Sequence, residues 1–426
     1  MSAELNKTKK ALEAIKKHGN VEDLLHRVEN PSTVEPRKNL TSKYIANERA
    51  ISDRLAVLKE EMGAEFPNLT AHSEFEDLNT LNGHIENFIG FTKIPTGVIG
   101  PLTIKGTAAN DSFYIPMATH EGALIASYHR GARAITMSGG ASSVCLTEGV
   151  QRSPVFKFKT ISDVGRFILW ILEQQEKFKE IVCQKSNHAQ LESMDTNIEG
   201  NHIILTFDYT TGDAAGQNMV TICTQAIVDY ILENTPIEPI NCFVESNYSG
   251  DKKASAISFS RVRGKKVTTE VVIPKEIVES VLKTKAKKMY EYWIASTIAV
   301  VQSGAIGAQG HYANGLAAMF MACGQDAACV SEASVGITRM EELEDGSLYA
   351  SITIPNLIVG TIGGGTSLPT PKECLELLGC YGLGKARKFA EVCGGVILAG
   401  ELSIAAALSA GHFTKAHQAL GRKNGK

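Results

Sequence analysis

The sequence predicts a mixed α+β protein in which a small α/β domain is inserted into a large domain with a helical core, preceded by a helical N-terminal region. Residues 1–85 are mostly polar, whereas glycine, alanine, isoleucine and valine dominate from Glu86 onwards. Predicted strands and helices alternate between residues 155 and 245, and a helix of small and apolar residues lies near the C-terminus. A chain of 426 residues is long enough for two or three domains.

The composition excludes several classes of protein. Apolar residues make up 43% and charged residues 21%, which is ordinary for a globular protein. The formal net charge of −3 provides no basic field to attract nucleic acid or an anionic membrane. No apolar run approaches the roughly 20 residues that a membrane span needs, and the N-terminus lacks the apolar stretch of a secretory signal. We therefore expect a cytoplasmic protein that binds neither nucleic acid nor a membrane.

The nine cysteines are scattered singly through apolar segments. Their spacing matches neither a set of zinc ligands nor a disulfide framework. The sequence therefore predicts free, mostly buried thiols in a reducing compartment, and no metal site.

The N-terminal region is predicted to be a helical appendage without a catalytic role. Ile51, Leu55, Leu58 and Met62 fall on one face of a predicted helix, with lysines and glutamates on the other. The segment after this helix, residues 66–82, is rich in turn-forming residues.

The large domain begins with a predicted helix over Met117–Arg133, followed by a loop over Ser138–Ser143. After the insertion, a strand is predicted over Lys265–Ile273, and Pro274 opens a helix with one continuous apolar face that reaches Met289. A further strand is predicted over Ser347–Ile354.

The last predicted helix, Leu398–Gly411, is almost entirely small and apolar. At this length it is too short to span a membrane, and Glu401 interrupts it. We therefore expect it at the centre of the core.

The inserted domain shows its own alternation. A helix over Val164–Phe178 precedes a strand over His202–Tyr209, and a second helix ends near Ile231, before a strand over Asn241–Ser246. This order predicts a small α/β sandwich of the ferredoxin-like type. The predicted boundaries are 1–85 for the N-terminal region, 86–152 with 256–426 for the large domain, 153–245 for the inserted domain and 246–255 for a connecting loop.

Four short polar motifs stand in otherwise small and apolar stretches: Pro116–Leu124, Asn247–Lys253, Ala322–Ala328 and Gly411–His417. Any one of them alone is most simply interpreted as an ion pair or a helix cap. Together they supply ionisable groups of both signs and a histidine in segments that are predicted to be packed, which suggests an acid–base centre. The four groups are Glu121, Lys252, Asp326 and His417.

Dinucleotide and Walker A fingerprints are absent from the sequence. A glycine-rich turn, Thr210–Met219, instead follows the strand that ends at Tyr209, and its N–H groups are suited to hold a phosphate or another polar cofactor group. A tight turn capped by Asp213 is the simpler local interpretation. Gly363–Gly365 likewise permits either close approach to a ligand or a tight turn.

Taken together, these motifs resemble the 3-hydroxy-3-methylglutaryl-coenzyme A (HMG-CoA) reductase family over nearly all of residues 86–417. The Asp251–Lys253 segment resembles the connecting loop of the class I branch of that family. The matching segments are collinear: ENFIG, IPTGVIGP, PMATHEG, GGASS, TGDAAGQNM, DKK, GQDAA, IGGGT and AGELSIAAALSAGH.

The resemblance implies a reaction in which a nicotinamide cofactor delivers two hydrides and a thioester becomes an alcohol, giving mevalonate and free coenzyme A. Lys252 would stabilise the negative charge on the carbonyl oxygen, and His417 would protonate the departing thiolate. Glu121, with its pKa raised by burial, would supply a proton to the aldehyde. Asp326 would hold Lys252 and couple the titration of the group.

The resemblance also implies two sets of binding residues and a homodimer, or a higher oligomer such as a tetramer, with the active site between subunits. The acyl group would be held by Arg152, Asn247, Asp251, Lys253 and Asn314. The cofactor would contact Ser186, Asn187, Gly212, Asp213, Gly216, Asn218, Gln325, Gly363, Gly364 and Gly365.

Three positions depart from the family pattern. Asn187 stands where a basic residue is expected to meet the 2′-phosphate, so NADPH is favoured but NADH stays open, with Lys185 as a substitute cation. The helix around residues 294–297 lacks an expected lysine, and Glu245 replaces a small hydroxyl residue. These departures leave two alternatives, the same chemistry on another branched 3-hydroxyacyl-coenzyme A, or a non-catalytic homologue that binds such esters. Retention of all four acid–base groups argues against the second.

Overall fold

The computed structural model describes Asn20, Glu22, residues 47–62 and residues 78–411. The chain divides into two compact units, Met1–Thr92 and Lys93–Lys426. In the first unit, helix α1 (Glu48–Met62) confirms the helix predicted there, and a short 3₁₀ turn follows at Leu78–Leu81. The predicted apolar face of α1 and most of the predicted helical region 1–85 lie outside the described residues.

The second unit is a mixed α/β structure. Its strands are β1 (Thr96–Gly106), β2 (Asn110–Ala118), β3 (Ala141–Arg152), β4 (Val155–Lys157), β5 (Gln190–Glu199), β6 (His202–Thr210), β7 (Asn241–Phe243), β8 (Gly264–Ile273), β9 (Ile337–Glu342) and β10 (Leu348–Leu357). Its helices are α2 (Leu124–Met137), α3 (Ile161–Leu172), α4 (Gln175–Lys185), α5 (Gln217–Asn234), α6 (Ala286–Ser303), α7 (Tyr312–Ala322), α8 (Val330–Ala333), α9 (Pro369–Leu377) and α10 (Ala386–Ser409).

All ten strands belong to one mixed sheet with the order β7-β4-β6-β3-β8-β10-β9. At its margins β1 pairs antiparallel with β2 and parallel with β3, and β5 pairs antiparallel with β6. Strand β3 connects the two halves of the sheet. Its residues Ser142–Gly149 pair with β8, whereas Val150–Arg152 pair with β6. The connecting loop after β7 therefore returns to the sheet beside the end of β3.

Helix α10 forms the centre of the larger hydrophobic core, as predicted. Glycines allow its close contact with the sheet and with α2, because a Cβ on Gly394 would collide with Thr269 and one on Gly400 with Tyr128. The predicted length was wrong, because the helix starts at Ala386 and its 24 residues are long and apolar enough to cross a membrane. However, 83% of its most apolar window is buried inside the protein, as in a core helix.

A second hydrophobic core lies between residues 150 and 242 and is rich in aromatic side chains. Phe156, Phe167 and Phe207 are completely buried in it. The strands around this core are arranged in the order β7-β4-β6-β5, all antiparallel to their neighbours. The segment thus has a core of its own in addition to the one around α10.

Several predicted elements are confirmed and several differ. The strands predicted from His202, Lys265 and Ser347 correspond to β6, β8 and β10. The helix predicted to end near Ile231 corresponds to α5. The strand predicted over Asn241–Ser246 ends at Phe243 instead.

The helix predicted over Met117–Arg133 begins only at Leu124. Met117 and the residue after it extend β2, where they pair with Gly97 and its neighbour in β1. Ala123 has a left-handed φ of 71° and separates the strand from the helix. The segment predicted as a loop over Ser138–Ser143 is a loop only as far as Gly140, because the remainder begins β3.

Two predicted helices are divided in the structure. The helix predicted over Val164–Phe178 is split into α3 and α4 at Glu173 and Gln174. The apolar face predicted to continue after Pro274 is interrupted where a π-helical turn ends at Lys283, which has a left-handed φ of 60°. Burial of apolar residues explains both divisions. In each case, the segments before and after the break both place their apolar side chains in a hydrophobic core.

Candidate active site

Lys252 and Asp326 form an ion pair, with 2.8 Å between the Lys252 Nζ and Asp326 Oδ2 atoms. Both side chains are 45% exposed, so the prediction that these charges are packed in an apolar environment was wrong. The hydrogen bond to Asp326 raises the pKa of the Lys252 ammonium. Burial raises the pKa of Asp326, but the bonds from Lys252 and from the Ala328 N–H outweigh this and lower it. Both shifts keep the pair ionised at neutral pH.

The backbone of Lys252 is held separately from its side chain. Lys252 has a left-handed φ of 56°, which is unfavourable for a residue with a Cβ. Its N–H donates a hydrogen bond of 3.1 Å to Oε1 of Glu332, a carboxylate that is completely buried. The other oxygen of Glu332 accepts from Nε of Arg263 at 2.7 Å. The site lysine is therefore fixed at two atoms by two different carboxylates.

Arg263 and Arg152 are buried cations that share Asp251. Arg263 Nη2 lies 2.6 Å from Asp251 Oδ1, and Arg152 Nη1 lies 2.9 Å from Asp251 Oδ2. Burial raises the pKa of Asp251, but the two guanidinium groups outweigh burial and lower it. Arg152 also contacts Glu245, at 3.2 Å. The two buried arginines and their carboxylate partners thus anchor the loop that carries Lys252.

The remaining predicted acyl-binding residues of this loop lie at its surface. Lys253 is exposed, and its ammonium donates to the Asp251 carbonyl oxygen at 2.9 Å. Asn247 has a left-handed φ of 66°, and its N–H donates to Glu245 Oε1 at 2.7 Å. Glu245, which departs from the family pattern, therefore takes part in shaping the loop.

Glu121 lies at the end of the turn that follows β2 and is exposed, so the prediction that it is buried was wrong. The Asn314 side-chain amide, at the start of α7, donates to Glu121 Oε2 at 2.7 Å. Within the described part of the chain, no hydrogen bond joins Glu121 to Lys252 or Asp326. His417 lies outside the described residues.

A cavity of about 610 Å³ lies beside the Lys252–Asp326 pair. Its volume is in the range of small-molecule sites. Its walls combine the glycine-rich turn before α5, the start of α5 and the loop before α9. Predicted residues that line it are Gly216, Asn218, Gln325, Asp326, Gly363, Gly364 and Gly365.

The glycines of this cavity serve different purposes. A Cβ on Gly363 or Gly364 would meet no atom within 4 Å, but both residues have left-handed φ values that favour glycine. A Cβ on Gly365 would lie 2.7 Å from the Gly324 carbonyl oxygen, so the third glycine is needed for close packing against the segment that carries Gln325 and Asp326. The first N–H groups of α5 also start at this cavity, which makes it suitable for an anionic group.

Four predicted cofactor residues are not among those lining the cavity. Asp213 accepts hydrogen bonds from the N–H groups of Gly384 and Ala386, at 2.7 and 3.0 Å, and so joins its turn, which includes Gly212, to the start of α10. Ser186 ends α4, and exposed Asn187 follows it. The Ser186 hydroxyl accepts from two later N–H groups of the same turn.

Sequence reasoning did not identify Arg263 and Glu332. Glu332 stands in the apolar stretch Cys329–Val335, which meets the same criterion that selected the four polar motifs. A search of the whole chain for ionisable groups in small and apolar stretches would therefore have found Glu332. Arg263 has no comparable signal, because it lies between basic and small residues just before β8.

The thiols and possible metal ligands add no further centre. All nine cysteines are free, and six of them are buried. Across the described residues, no group of three or more histidine, cysteine, aspartate or glutamate side chains is arranged to hold a metal ion.

Comparison with known proteins gives a consistent result. The family model for hydroxymethylglutaryl-coenzyme A reductase matches residues 50–422. The chain is 40% identical over 412 residues to the 3-hydroxy-3-methylglutaryl-coenzyme A reductase of Methanocaldococcus jannaschii, covering 95% of this chain and all of the relative. For the Pyrococcus abyssi protein of the same name, identity is 37% with the same coverage. The fold is similar to that of the class II enzyme from Streptococcus pneumoniae bound to NADPH, with a TM-score of 0.63 and 18% identity over 84% of this chain and 96% of that one.

Proposed function

Because the chain belongs to the hydroxymethylglutaryl-coenzyme A reductase family, we propose that it reduces HMG-CoA to mevalonate and free coenzyme A. The reduction takes four electrons and passes through a hemithioacetal and mevaldehyde. The observation that carries this proposal is the ionised Lys252–Asp326 pair beside a cavity with glycine-rich walls. NADPH when bound supplies a hydride in each of two successive steps.

Lys252 stabilises the oxygen that gains negative charge when hydride adds to the thioester carbonyl carbon. A preformed cation at such an oxygen is among the largest contributions that a protein makes to catalysis. Asp326 keeps the ammonium protonated and directs it. When the hemithioacetal collapses, the carbon–sulfur bond breaks and His417 gives a proton to the thiolate. Glu121, oriented by Asn314, gives a proton to the aldehyde oxygen as the second hydride arrives.

The acyl group is held around the same loop. Lys253 and Asn247, which face the surface, and Asn314 are the residues available for direct contact. Arg152 and Asp251 complete the predicted set, with their charges mostly directed at each other and at Arg263. The exposure of Glu121, Lys252 and Asp326 supports a homodimer, or a higher oligomer, in which a second subunit covers the site.

For the cofactor, we propose NADPH, which the glycine-rich cavity beside Asp326 would hold. The start of α5 suits the phosphates, and Gly216, Asn218, Gln325 and the three glycines Gly363–Gly365 provide close backbone approach. Ser186 and Asn187 would meet the 2′-phosphate of NADPH, as the family resemblance implies, and Asp213 supports the turn that includes Gly212.

Residues 153–245 form the inserted cofactor domain in this proposal, and residues 246–255 form the loop that carries the lysine. The strand order β7-β4-β6-β5 and a separate aromatic core support a ferredoxin-like insertion. The class I assignment is proposed on the Asp251–Lys253 segment alone. We also propose a cytoplasmic location, and the burial of α10 is that of a core helix and not of a membrane span.

The test follows the absorbance of NADPH, and then of NADH, with saturating HMG-CoA, together with the release of free thiol. Two cofactor molecules oxidised for each thiol released is the expected result, because both reductions are completed at one site. Cofactor oxidation with another branched 3-hydroxyacyl-coenzyme A, but not with HMG-CoA, would overturn the substrate assignment. A folded protein that oxidises neither cofactor with any such ester would be a binding homologue.

A further inference from the structure

The backbone at Lys252 is held in a conformation that it would not adopt by itself. Lys252 is one of five described non-glycine residues with a left-handed φ, and Asn247 in the same loop is another. Such a conformation persists only where the surroundings impose it. The loop also contains Gly250, with a φ of 77°, so the local chain has little preference for one shape.

Glu332 is the side chain that binds the backbone N–H of Lys252 in this conformation. It is completely buried, and each of its oxygens has one defined partner, the Lys252 N–H at 3.1 Å and Arg263 Nε at 2.7 Å. Burial raises the pKa of this carboxyl, and the charge of Arg263 limits the rise. A buried carboxylate of this kind is retained only if its partners are fixed.

The same short segment provides both contacts of Lys252. Asp326 caps the 3₁₀ turn Ala327–Cys329, which leads directly into α8, where Glu332 lies. Asp326 binds the ammonium of Lys252, and Glu332 binds its N–H. The backbone N–H and the ammonium of the lysine are therefore both bound by one short piece of chain, residues 326–332.

This piece of chain is in turn anchored to the sheet. Arg263 is 1% exposed and donates to the Gln151 carbonyl oxygen, and its own N–H is bound by the Asn356 side chain. Gln151 belongs to β3 and Asn356 to β10. Movement of Glu332 would leave the Arg263 charge buried without its partner, which is costly.

We propose that Glu332 is a positioning residue for catalysis, which fixes the backbone of Lys252 so that its ammonium is aimed at the reacting oxygen. This inference rests on the proposed role of Lys252. Glu332 touches neither the ammonium nor the cavity walls, so it acts through the lysine and not on the substrate.

The test compares Glu332→Gln with Glu391→Gln. Glutamine has one oxygen, and the Arg263 guanidinium is its stronger partner, so the amide NH₂ group is left facing the Lys252 N–H. Glu391 is the matched control. It is also completely buried, and it accepts hydrogen bonds from the backbone N–H groups of Ala108 and Ala109, which lie in the turn between β1 and β2.

Three quantities are measured for each folded variant: kcat with HMG-CoA and NADPH, the Kd of NADPH, and hydrogen–deuterium exchange in peptides covering residues 247–254. For Glu332→Gln we expect kcat to fall about 10- to 100-fold, the effect of misplacing a catalytic group by about 1 Å. The Kd of NADPH should stay within about twofold, and exchange in the loop should become faster. For Glu391→Gln, kcat per folded molecule and loop exchange should match the wild type.

Unchanged loop exchange in Glu332→Gln overturns the proposal, as does a kcat within about twofold of the wild type. An equal loss of kcat in both variants also overturns it, because it would show general destabilisation. If the wild-type protein itself does not reduce HMG-CoA, the proposed function fails, whereas the exchange comparison still decides whether Glu332 holds the loop.

Discussion

Two ion pairs join residues 252–263 to residues 326–332 but differ in exposure. Lys252 and Asp326 are each 45% exposed, whereas the side chains of Arg263 and Glu332 are 2% and 0% exposed. The exposed pair is screened by water and rearranges at little cost in free energy, which its proposed role in proton transfer requires. The buried pair cannot be separated without leaving a charge in the interior. In the proposed site, reactivity and rigidity therefore belong to different charges.

Arg263→Ala removes the cation of the buried pair and should have the largest effect on stability. We expect the free energy of unfolding to fall by about 3–5 kcal/mol, because Glu332 and Asp251 then lose a buried cation. Urea denaturation measures this change. Arg263→Met combined with Glu332→Leu is the control, because removal of both charges should restore most of the lost stability. A double variant as unstable as the single one would contradict the idea that the unpaired charge is responsible.

Lys252→Ala acts on the exposed pair and should have the opposite profile. We expect kcat to fall by about 10²- to 10³-fold or more, because the developing oxyanion loses its cation. The free energy of unfolding should change by less than about 1 kcal/mol, as for other exposed pairs. Steady-state kinetics, NADPH affinity and urea denaturation are measured on the same preparation. Lys253→Ala, next to it in sequence, separates loss of the catalytic cation from loss of acyl binding, since it should raise KM more than it lowers kcat. Retained turnover in Lys252→Ala would remove it from the proposed oxyanion role.

Asn187→Arg extends the contrast to the proposed cofactor end, where the side chain is exposed and can be changed without loss of stability. A guanidinium there should raise the ratio of kcat/KM for NADPH to that for NADH by about tenfold, because it would pair with the 2′-phosphate. Lys185→Gln is the companion variant, expected to move the same ratio the other way. An unchanged ratio in both would mean that the 2′-phosphate lies elsewhere.

The smallest expected effect is the pH dependence of the exposed pair. The pKa of Asp326 is lowered, so its contribution is fully present above about pH 3.9, the unfolded value, and is lost as pH falls through the lower folded pKa. The pKa of Lys252 is raised, so its contribution is present below about pH 10.4 and is lost as pH rises through the higher folded pKa. Because both groups are half exposed, the difference between wild type and Asp326→Asn should be no more than about 1 kcal/mol at pH 7.

Urea denaturation of both proteins across this pH range measures the difference. It should narrow at low pH, where Asp326 becomes neutral in the wild type as well. A difference that widens as the solution is acidified would show that the pKa of Asp326 is raised in the folded protein instead of lowered.

Sequence reasoning succeeded where the signal was local. The strand before the Thr210–Met219 turn, the helix after it and the central position of α10 all follow from periodicity and turn chemistry. It failed at Met117, which lies in a strand that ends one residue later, and at Lys283, where a left-handed residue ends an otherwise plausible helix. Those endings depend on neighbours from other parts of the chain, which no local pattern contains.

The prediction of burial for Glu121, Lys252 and Asp326 failed for a related reason. Small and apolar neighbours in sequence suggested a packed environment, but these residues lie exposed in loops and turns, and Asp326 lines a cavity. Sequence context reports what is bonded nearby, whereas burial depends on what is folded over the residue. Glu332, in similar context, is the one that is completely covered.

By itself, the sequence determined the family of the protein, because its collinear motifs match those of hydroxymethylglutaryl-coenzyme A reductases. It also determined most of the elements around them. Only the tertiary structure decided which charges meet. Lys252 and Glu332 are 80 positions apart, and one oxygen of Glu332 stabilises the backbone conformation of the lysine while the other binds Arg263. Such contacts depend on how the loop, α8 and the sheet pack together, and that packing is a property of the whole chain.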